Sequence, residues 1–139
     1  MAGMPEAAKT RSYTGSCHCG AVRFRFRSEP ITSGLRCNCS MCMRKGTIMS
    51  DRPVLPEDVE ELVGLATLGV YQWGDKDVYH YFCKTCGICP FHAGVDRERA
   101  GTMLLHGPSL PGFYRMNLGC VHDLDALALA ISVVDGRSF

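Results

Sequence analysis

The fold of this chain is decided by three short stretches: G-S-C-H-C-G at residues 15–20, C-N-C-S-M-C at residues 37–42 and Y-F-C-K-T-C-G at residues 81–87. Together they contain seven of the nine cysteines. Side chains two residues apart on an extended chain point to the same side, and a C-x-x-C followed by glycine can turn tightly around one metal ion. Four thiolates close a structural zinc site, whereas three leave a coordination position open for chemistry. Seven clustered cysteines, divided as four plus three, therefore predict one zinc site of each kind.

Disulfide bonds are the competing interpretation of so many cysteines. Nine is an odd number, so at least one thiol would remain unpaired. The two cysteines of a C-x-C sequence also bridge each other poorly. The N-terminal sequence MAGMPEAAKTRSY contains no apolar core of the kind that a signal peptide needs. We therefore expect a cytoplasmic protein in a reducing compartment, where clustered cysteines are more often metal ligands than disulfides.

Length and composition indicate one globular domain. The chain has 139 residues, of which 46% are hydrophobic and 21% are charged, and its formal net charge is +1. No charged run is typical of a nucleic-acid-binding tail, and no segment approaches the ~20 apolar residues of a membrane span. We predict a disordered tail at residues 1–10 and a single zinc-binding domain at residues 11–139, with neither nucleic acid nor a membrane as partner.

Local patterns predict a chain built mainly of strands. In Ala21–Arg27, three apolar residues alternate with three arginines, which is typical of a half-buried strand with a solvated basic face. Two segments rich in β-branched and aromatic residues, 65–73 and 78–82, flank G-D-K-D and predict a hairpin. We also predict strands within residues 31–37, 113–121 and 133–134, a loop at 41–46, a short helix or turn at 56–64, and a helix at 123–130 with Asp123 near its N-cap.

The order and content of the three cysteine stretches resemble a known family. G-S-C-H-C-G-A-V-R-F (residues 15–24), C-N-C-S-M-C and Y-F-C-K-T-C-G are similar to motifs of the glutathione-dependent formaldehyde-activating enzymes, a family that includes centromere protein V. Weaker matches are Tyr71-Gln72-Trp73, Asn117 before Cys120, and the closing Asp135-Gly136. The resemblance covers roughly residues 11–139, and the three motifs in this order are specific, whereas each alone is weak.

The resemblance implies a mainly β, Mss4-like zinc-binding fold with few short helices. It implies two zinc ions, a structural one on Cys17, Cys19, Cys83 and Cys86, and a second, catalytic one on Cys37, Cys39 and Cys42. It also implies a carbon–sulfur lyase that condenses formaldehyde, or a related aldehyde, with glutathione to S-hydroxymethylglutathione. The expected partners are thus a small-molecule thiol and an aldehyde. An open three-thiolate site can lose its metal, so the second zinc is expected to be the labile one.

The chemistry of a three-thiolate site fits that reaction. Zinc lowers the pKa of a bound thiol, so glutathione would be held as a thiolate at neutral pH. A thiolate that attacks formaldehyde gives an oxyanion that needs only a proton. Glutathione carries two carboxylates, and the cations that flank the middle cluster are candidates to bind them: Arg36, Arg44 and Lys45.

Several alternatives remain open from the sequence. The middle cluster could be a second structural site completed by Cys89, Cys120 or a histidine. The whole domain could be a zinc-stabilised binding module without catalysis, or a redox or metal-buffering protein. Cys89 stands where the family normally has a small or apolar residue, and we interpret it as a small buried residue rather than a spare ligand or redox thiol.

Overall fold

The computed structural model describes residues 10–73, 78–94 and 112–138, so nearly all of the predicted tail at residues 1–10 lies outside the described residues. No helix in these ranges has the length and apolar character needed to cross a membrane. Short 3-10 helices occupy Pro56–Asp58, Leu65–Thr67, Leu118–Cys120, Ala126–Ala128 and Gly136–Ser138. The regular elements are β1 (Arg11–Ser16), β2 (Arg23–Ser28), β3 (Ser33–Cys37), α1 (Ser40–Lys45), β4 (Met49–Ser50), β5 (Val59–Val63), β6 (Leu68–Tyr71), β7 (Val78–Cys83), β8 (Phe91–Gly94), β9 (Phe113–Met116) and β10 (Ala130–Val134).

Within the described ranges the strands form three small sheets, with the orders β1-β2-β5, β10-β3-β4 and β6-β7-β8-β9. Neighbouring strands are antiparallel except for β10 and β3, which pair in parallel. Short bridges tie the second sheet to the third, because Met49 pairs with Asn117 and Val54 with Tyr114. The mainly β fold with few short helices is confirmed.

Strand β2 shows the predicted alternation. Val22, Phe24 and Phe26 are at most 1% exposed. On the other face, Arg25 and Arg27 pair with acidic residues of β5, and the Arg25 Nε lies 3.4 Å from a carboxylate oxygen of Glu60. Exposed ion pairs of this kind contribute about 0–1 kcal/mol, so the basic face is an ordinary solvated surface rather than a binding stripe.

An aromatic cluster joins the first sheet to the third. The rings of Phe24 and Phe91 meet edge to face with centroids 6.2 Å apart, and Phe91 meets Tyr114 in the same way at 5.7 Å. All three side chains are almost completely buried. Each such pair contributes roughly 0.5–1.5 kcal/mol beyond the burial of its area. The core therefore lies between β2 on one side and β8 and β9 on the other.

The predicted loop at residues 41–46 is wrong, because this segment belongs to helix α1. Cys39 is the N-cap residue in an extended conformation, and its Sγ accepts a hydrogen bond from the Cys42 N–H at 3.3 Å. Gly46 ends the helix with φ at 68°, a left-handed conformation that glycine adopts without strain. Cysteine is not among the usual N-cap residues, which is why the helix start was missed.

Two other segments also differ from the prediction. Residues 56–64 form a 3-10 turn only at their start, and the remainder is β5, which pairs with β2. Asp123 has φ at 58°, which is not the extended conformation of an N-cap, and Asp125 instead caps the short 3-10 helix that follows. Ala130 already belongs to β10, which pairs with β3. At residues 59–63 strand pairing outweighs the local helical pattern.

The aromatic core gives a first prediction. Phe24→Ala should lower the free energy of unfolding by about 3–5 kcal/mol, because it removes a ring that is 1% exposed and leaves a cavity. Urea denaturation measures this change. Leu127→Ala, at a side chain that is 87% exposed, is the matched control and should change stability by less than about 0.5 kcal/mol. A Phe24→Ala variant as stable as the control would contradict this core.

Candidate metal centres

The first thiol cluster brings together two distant parts of the chain. Cys17 and Cys19 lie in the corner between β1 and β2, Cys83 ends β7, and Cys86 lies in the turn after it. All four Sγ atoms lie within 4.8 Å of one another. The Sγ of Cys19 is 3.7 Å from that of Cys17 and 3.7 Å from that of Cys83. The predicted hairpin of β6 and β7 is present and delivers Cys83, which pairs with Leu68. Its connection, residues 74–77, lies outside the described part of the chain.

These separations suit a tetrahedral metal ion. Four sulfurs at the zinc–sulfur distance of about 2.3 Å stand about 3.8 Å apart at the corners of a tetrahedron. The observed sulfur–sulfur distances are close to this value. All nine cysteines lie in the described ranges, and all of them are free thiols. The donor set and its spacing therefore fit a four-thiolate zinc site.

Backbone N–H groups around this cluster point at sulfur. The Val22 N–H donates to Cys17 Sγ at 3.3 Å, and the Thr85 and Cys86 N–H groups donate to Cys83 Sγ at 3.4 and 3.5 Å. The turn is closed by Gly87, whose φ of 81° requires glycine or a strained residue. Such donors favour the thiolate, the form that binds a metal.

Backbone N–H donors, desolvation and the neighbouring thiols shift the pKa values of three thiols in this cluster. The Cys86 N–H lowers the pKa of Cys83, and the Ile88 N–H lowers that of Cys86 to about 6. The Ala21 N–H acts in the same direction on Cys19, but desolvation and the neighbouring thiols raise its pKa to about 11. Cys86 therefore favours the thiolate and Cys19 the protonated thiol when no cation is bound.

The second thiol cluster is local. Cys37 ends β3, Cys39 caps α1, and Cys42 lies in that helix, with all three Sγ atoms within 4.8 Å of one another. Among the described residues, no other cysteine, histidine or acid joins this group. The Cys39 N–H donates to Cys37 Sγ at 3.5 Å. Three sulfurs thus converge, and the structure supplies no fourth ligand from the part of the chain that it describes.

Two thiols of this cluster, those of Cys39 and Cys42, differ in acidity. Burial raises the pKa of Cys42 to about 12, and the neighbouring sulfur of Cys39 adds to the effect. Desolvation also acts on Cys39, but hydrogen bonds from the Cys42 N–H, from the neighbouring thiols and from the Met41 N–H together offset it, so the pKa of Cys39 is lowered. Cys39 is therefore the thiol of the pair that ionises first.

The C-terminal segment holds this cluster in place, a feature that the sequence showed only as the weak Asp135-Gly136 match. Strand β10 runs parallel to β3, so that Val134 stands opposite Cys37. The Asn38 side chain donates to Asp135 at 3.0 Å and accepts from the Arg137 N–H at 2.9 Å. Gly136 lies so close that a Cβ added there would collide with the Cys37 Sγ. The absence of a side chain at residue 136 is thus what lets the C-terminal turn pack against sulfur.

A partly buried polar cluster lies at the other end of α1. The Lys45 Nζ is 3.0 Å from His80 Nδ1 and 3.5 Å from His92 Nδ1. The sequence suggested Lys45 as a cation for glutathione, but nothing in it predicted that this residue would meet two histidines. The other two proposed cations lie elsewhere, since Arg36 donates to the Gly46 carbonyl at 3.3 Å and Arg44 to the Ser40 carbonyl at 2.9 Å.

Cys89 and Cys120 join neither cluster. The Cys89 thiol donates to the Phe91 carbonyl at 3.5 Å, and the Cys120 thiol lies 4.0 Å from the Cys89 carbonyl oxygen. Burial raises the pKa of both thiols, that of Cys120 to about 12. They are therefore protonated at neutral pH, which fits the interpretation of Cys89 as a small packed residue better than that of a reactive redox thiol.

Comparisons with known proteins cover both clusters. The sequence profile of a family described as glutathione-dependent formaldehyde-activating enzyme matches residues 12–126. The chain is also similar to a Rhodobacter sphaeroides protein whose crystal structure was determined as a structural genomics target. The two sequences are 27% identical, and the two structures align with a TM-score of 0.65. That similarity covers 86% of this chain and 99% of the other. The matched residues include all seven clustered cysteines.

The packing of Gly136 gives a second prediction. Gly136→Ala should lower the zinc affinity of the second cluster about 10- to 100-fold, the usual effect of disturbing a group that orients a metal ligand. Competition with a chromophoric chelator measures the affinity. Gly119→Ala is the control, because the nearest atom to a Cβ there is an Asn117 oxygen at 3.3 Å. Equal affinities in the two variants would show that the C-terminal turn does not position Cys37.

Proposed function

Because the chain belongs to the glutathione-dependent formaldehyde-activating enzyme family, we propose that it adds the thiol of glutathione to formaldehyde, or to a related aldehyde, to give an S-hydroxymethyl adduct. This is carbon–sulfur lyase chemistry of the S-(hydroxymethyl)glutathione synthase type. The observation that carries the proposal is the second cluster, where three cysteine sulfurs converge and no fourth ligand joins them from the described residues. A purely structural site has no use for such an opening.

The proposal gives the two zinc ions different tasks. Cys17, Cys19, Cys83 and Cys86 would hold a structural zinc, since four thiolates leave no position for a substrate. Cys37, Cys39 and Cys42 would hold a second zinc. When bound there, that ion would lower the pKa of an incoming thiol, so that glutathione enters as a thiolate at neutral pH.

The protein's own residues orient the reactants. The backbone N–H groups of Cys39 and Cys42 hold the sulfurs of the cluster, and the C-terminal turn fixes the loop that carries them. Arg36 and Arg44 are both exposed, and their guanidinium groups are suited to the carboxylates of glutathione. Bringing two reactants into one site removes much of the entropic barrier to a bimolecular addition. In the reaction a carbon–sulfur bond forms, and the carbonyl electron pair moves to oxygen, which then takes a proton.

The two clusters should respond differently to loss of one thiol. Cys83→Ser should lower the melting temperature and the soluble yield, because a structural zinc contributes on the order of 10 kcal/mol to folding. Cys39→Ser should leave the fold intact and remove one zinc equivalent. Elemental analysis and thermal denaturation of both variants measure these effects. A Cys83→Ser protein that stays fully folded and loses only activity would show that the structural role has been assigned to the wrong cluster.

The activity is tested by NMR exchange between formaldehyde and S-hydroxymethylglutathione at equilibrium, with zinc-loaded protein. We expect exchange faster than the spontaneous background, and its loss in a Cys39→Ser control that still folds. Background-rate exchange with both clusters loaded would exclude formaldehyde as the substrate. It would favour another thiol adduct or a zinc-stabilised binding module.

A further inference from the structure

The cluster of Lys45, His80 and His92 has no part in the function proposed so far. The three residues come from α1, β7 and β8, and the two histidines stand directly opposite each other in the β7–β8 ladder. His80 is 5% exposed and His92 is 8% exposed, and their rings meet edge to face with centroids 5.7 Å apart. Lys45 is half-buried, and moving its ammonium partly out of water to lie beside two buried imidazoles costs free energy, which suggests a function for the arrangement.

Both histidines are neutral acceptors for the ammonium. Burial, followed by the positive charge of Lys45, lowers the pKa of His80 to about 4 and holds that of His92 well below its usual value. Since each Nδ1 faces an ammonium, which can only donate, each imidazole carries its proton on Nε2. Neutral imidazoles orient the ammonium without cancelling its charge, as a carboxylate would.

Lys45 lies on the face of α1 that also carries Cys42 of the second thiol cluster. Lys45 follows Cys42 by three residues in α1, and side chains at this spacing lie next to each other on one helix face. The charge of Lys45 accordingly favours the thiolate of Cys42, against the larger effect of burial. Arg36 and Arg44, in contrast, make exposed hydrogen bonds to backbone carbonyls.

The ammonium can also exchange a partner for a ligand. It has three N–H groups, and its short contact is with His80 at 3.0 Å. The contact with His92 is at the 3.5 Å limit of a hydrogen bond. The remaining contact is with the thiol of Cys89, a weak acceptor. An oxygen atom that enters from the open cluster would replace one of the two weak contacts at little cost.

We propose that Lys45 is a catalytic residue, which binds the aldehyde oxygen and protonates it as the adduct forms, with His80 and His92 as the positioning residues that aim its ammonium. This proposal rests on the function proposed above. The sulfur electron pair of the glutathione thiolate forms the carbon–sulfur bond, and the π electrons of the carbonyl move to oxygen. The ammonium of Lys45 gives that oxygen a proton. The resulting amine regains one from solvent, which balances the proton that the glutathione thiol released.

The test measures formaldehyde exchange by zinc-loaded Lys45→Met over a range of glutathione concentrations. A general acid contributes about 10²- to 10⁴-fold to a rate. We therefore expect the rate at saturating glutathione to fall at least about 100-fold, while the half-saturating concentration of glutathione changes less than about twofold. If the saturated rate is kept and only the half-saturating concentration rises, Lys45 binds a glutathione carboxylate and the proposal is overturned.

Lys45→Gln is the matched second variant, because its amide can still donate to an imidazole but carries no charge. It should be as slow as Lys45→Met, and it replaces that variant if the apolar side chain prevents folding. Lys45→Arg keeps the charge and should recover part of the rate. If Lys45→Arg is no faster than the uncharged variants while its fold and zinc content are intact, the proposal fails.

Two readouts do not depend on turnover. Long-range ¹H–¹⁵N NMR should show the Nε2–H form of both histidines in the wild-type protein, and the pKa of His80 should rise in Lys45→Met. Glutathione affinity by calorimetry should be the same in the two proteins. The proposal also fails if the wild-type histidines carry their protons on Nδ1. If the wild-type protein has no exchange activity, both the proposed function and this role of Lys45 are contradicted. If the wild-type protein is active and Lys45→Met is equally active, only the role of Lys45 is overturned.

Discussion

The junction of four cysteine sulfurs is the constraint on which the rest of the structure depends. It fastens the corner between β1 and β2 to the end of β7, and the Cys19 and Cys83 sulfurs that meet there are 64 residues apart in sequence. Closing so long a loop has an entropic cost that the free chain would not overcome at this point alone. Under the proposed function one metal ion makes the closure favourable, with a binding free energy on the order of 10 kcal/mol. The aromatic contact of Phe24 with Phe91 lies between the same two parts of the chain, so junction and core support each other.

The second cluster has a different physical character, because its three sulfurs come from one turn of chain and need no distant segment to bring them together. Its three sulfurs must instead be held in fixed positions, and segments distant in sequence from the cluster hold them. The parallel pairing of β10 with β3 brings the C-terminal turn against Cys37. The Asn38 side chain is hydrogen-bonded to that turn through both its amide nitrogen and its amide oxygen. On the other side, α1 leads from Cys42 to Lys45 and hence to the two buried histidines. The cluster thus lies between a rigid backbone support and a fixed positive charge.

Much of this could be predicted from sequence, and the reasons are local. The alternation around Phe24 determines which face of β2 is buried, and the spacing within each cysteine motif brings the sulfurs of that motif together. That the first and third motifs share one group was implied by the family resemblance rather than by spacing. The helix that carries Cys42 was missed because its cap is a cysteine, whose capping role follows from the geometry of the cluster rather than from propensity. The strand at Val59–Val63 was missed because pairing with β2 overrides an acidic, helix-like sequence.

The contacts that could not be predicted are those between segments with no shared pattern. No pattern in the sequence around Lys45 predicts that His80 and His92 lie beside it, because α1, β7 and β8 are brought together only by tertiary packing. The sequence likewise does not predict that residue 136 must be a glycine to leave room for the Cys37 sulfur. The position of Gly136 depends on the register of β10 on β3, and the histidine pair depends on that of β7 on β8, and the sequence specifies neither register locally.

The central claim is that one cluster is closed and the other is open to a thiol. It is tested most directly by X-ray absorption at the zinc edge of protein loaded with two zinc ions, before and after glutathione is added. The account predicts an average of about 3.5 sulfur ligands per zinc, the mean of a four-thiolate and a three-thiolate site, which rises to about 4 with glutathione. Cys39→Ser protein with one zinc should show about 4 in both states. Four sulfurs per zinc in the two-zinc protein before any glutathione is added would contradict the account, because the second site would then be closed by the protein itself.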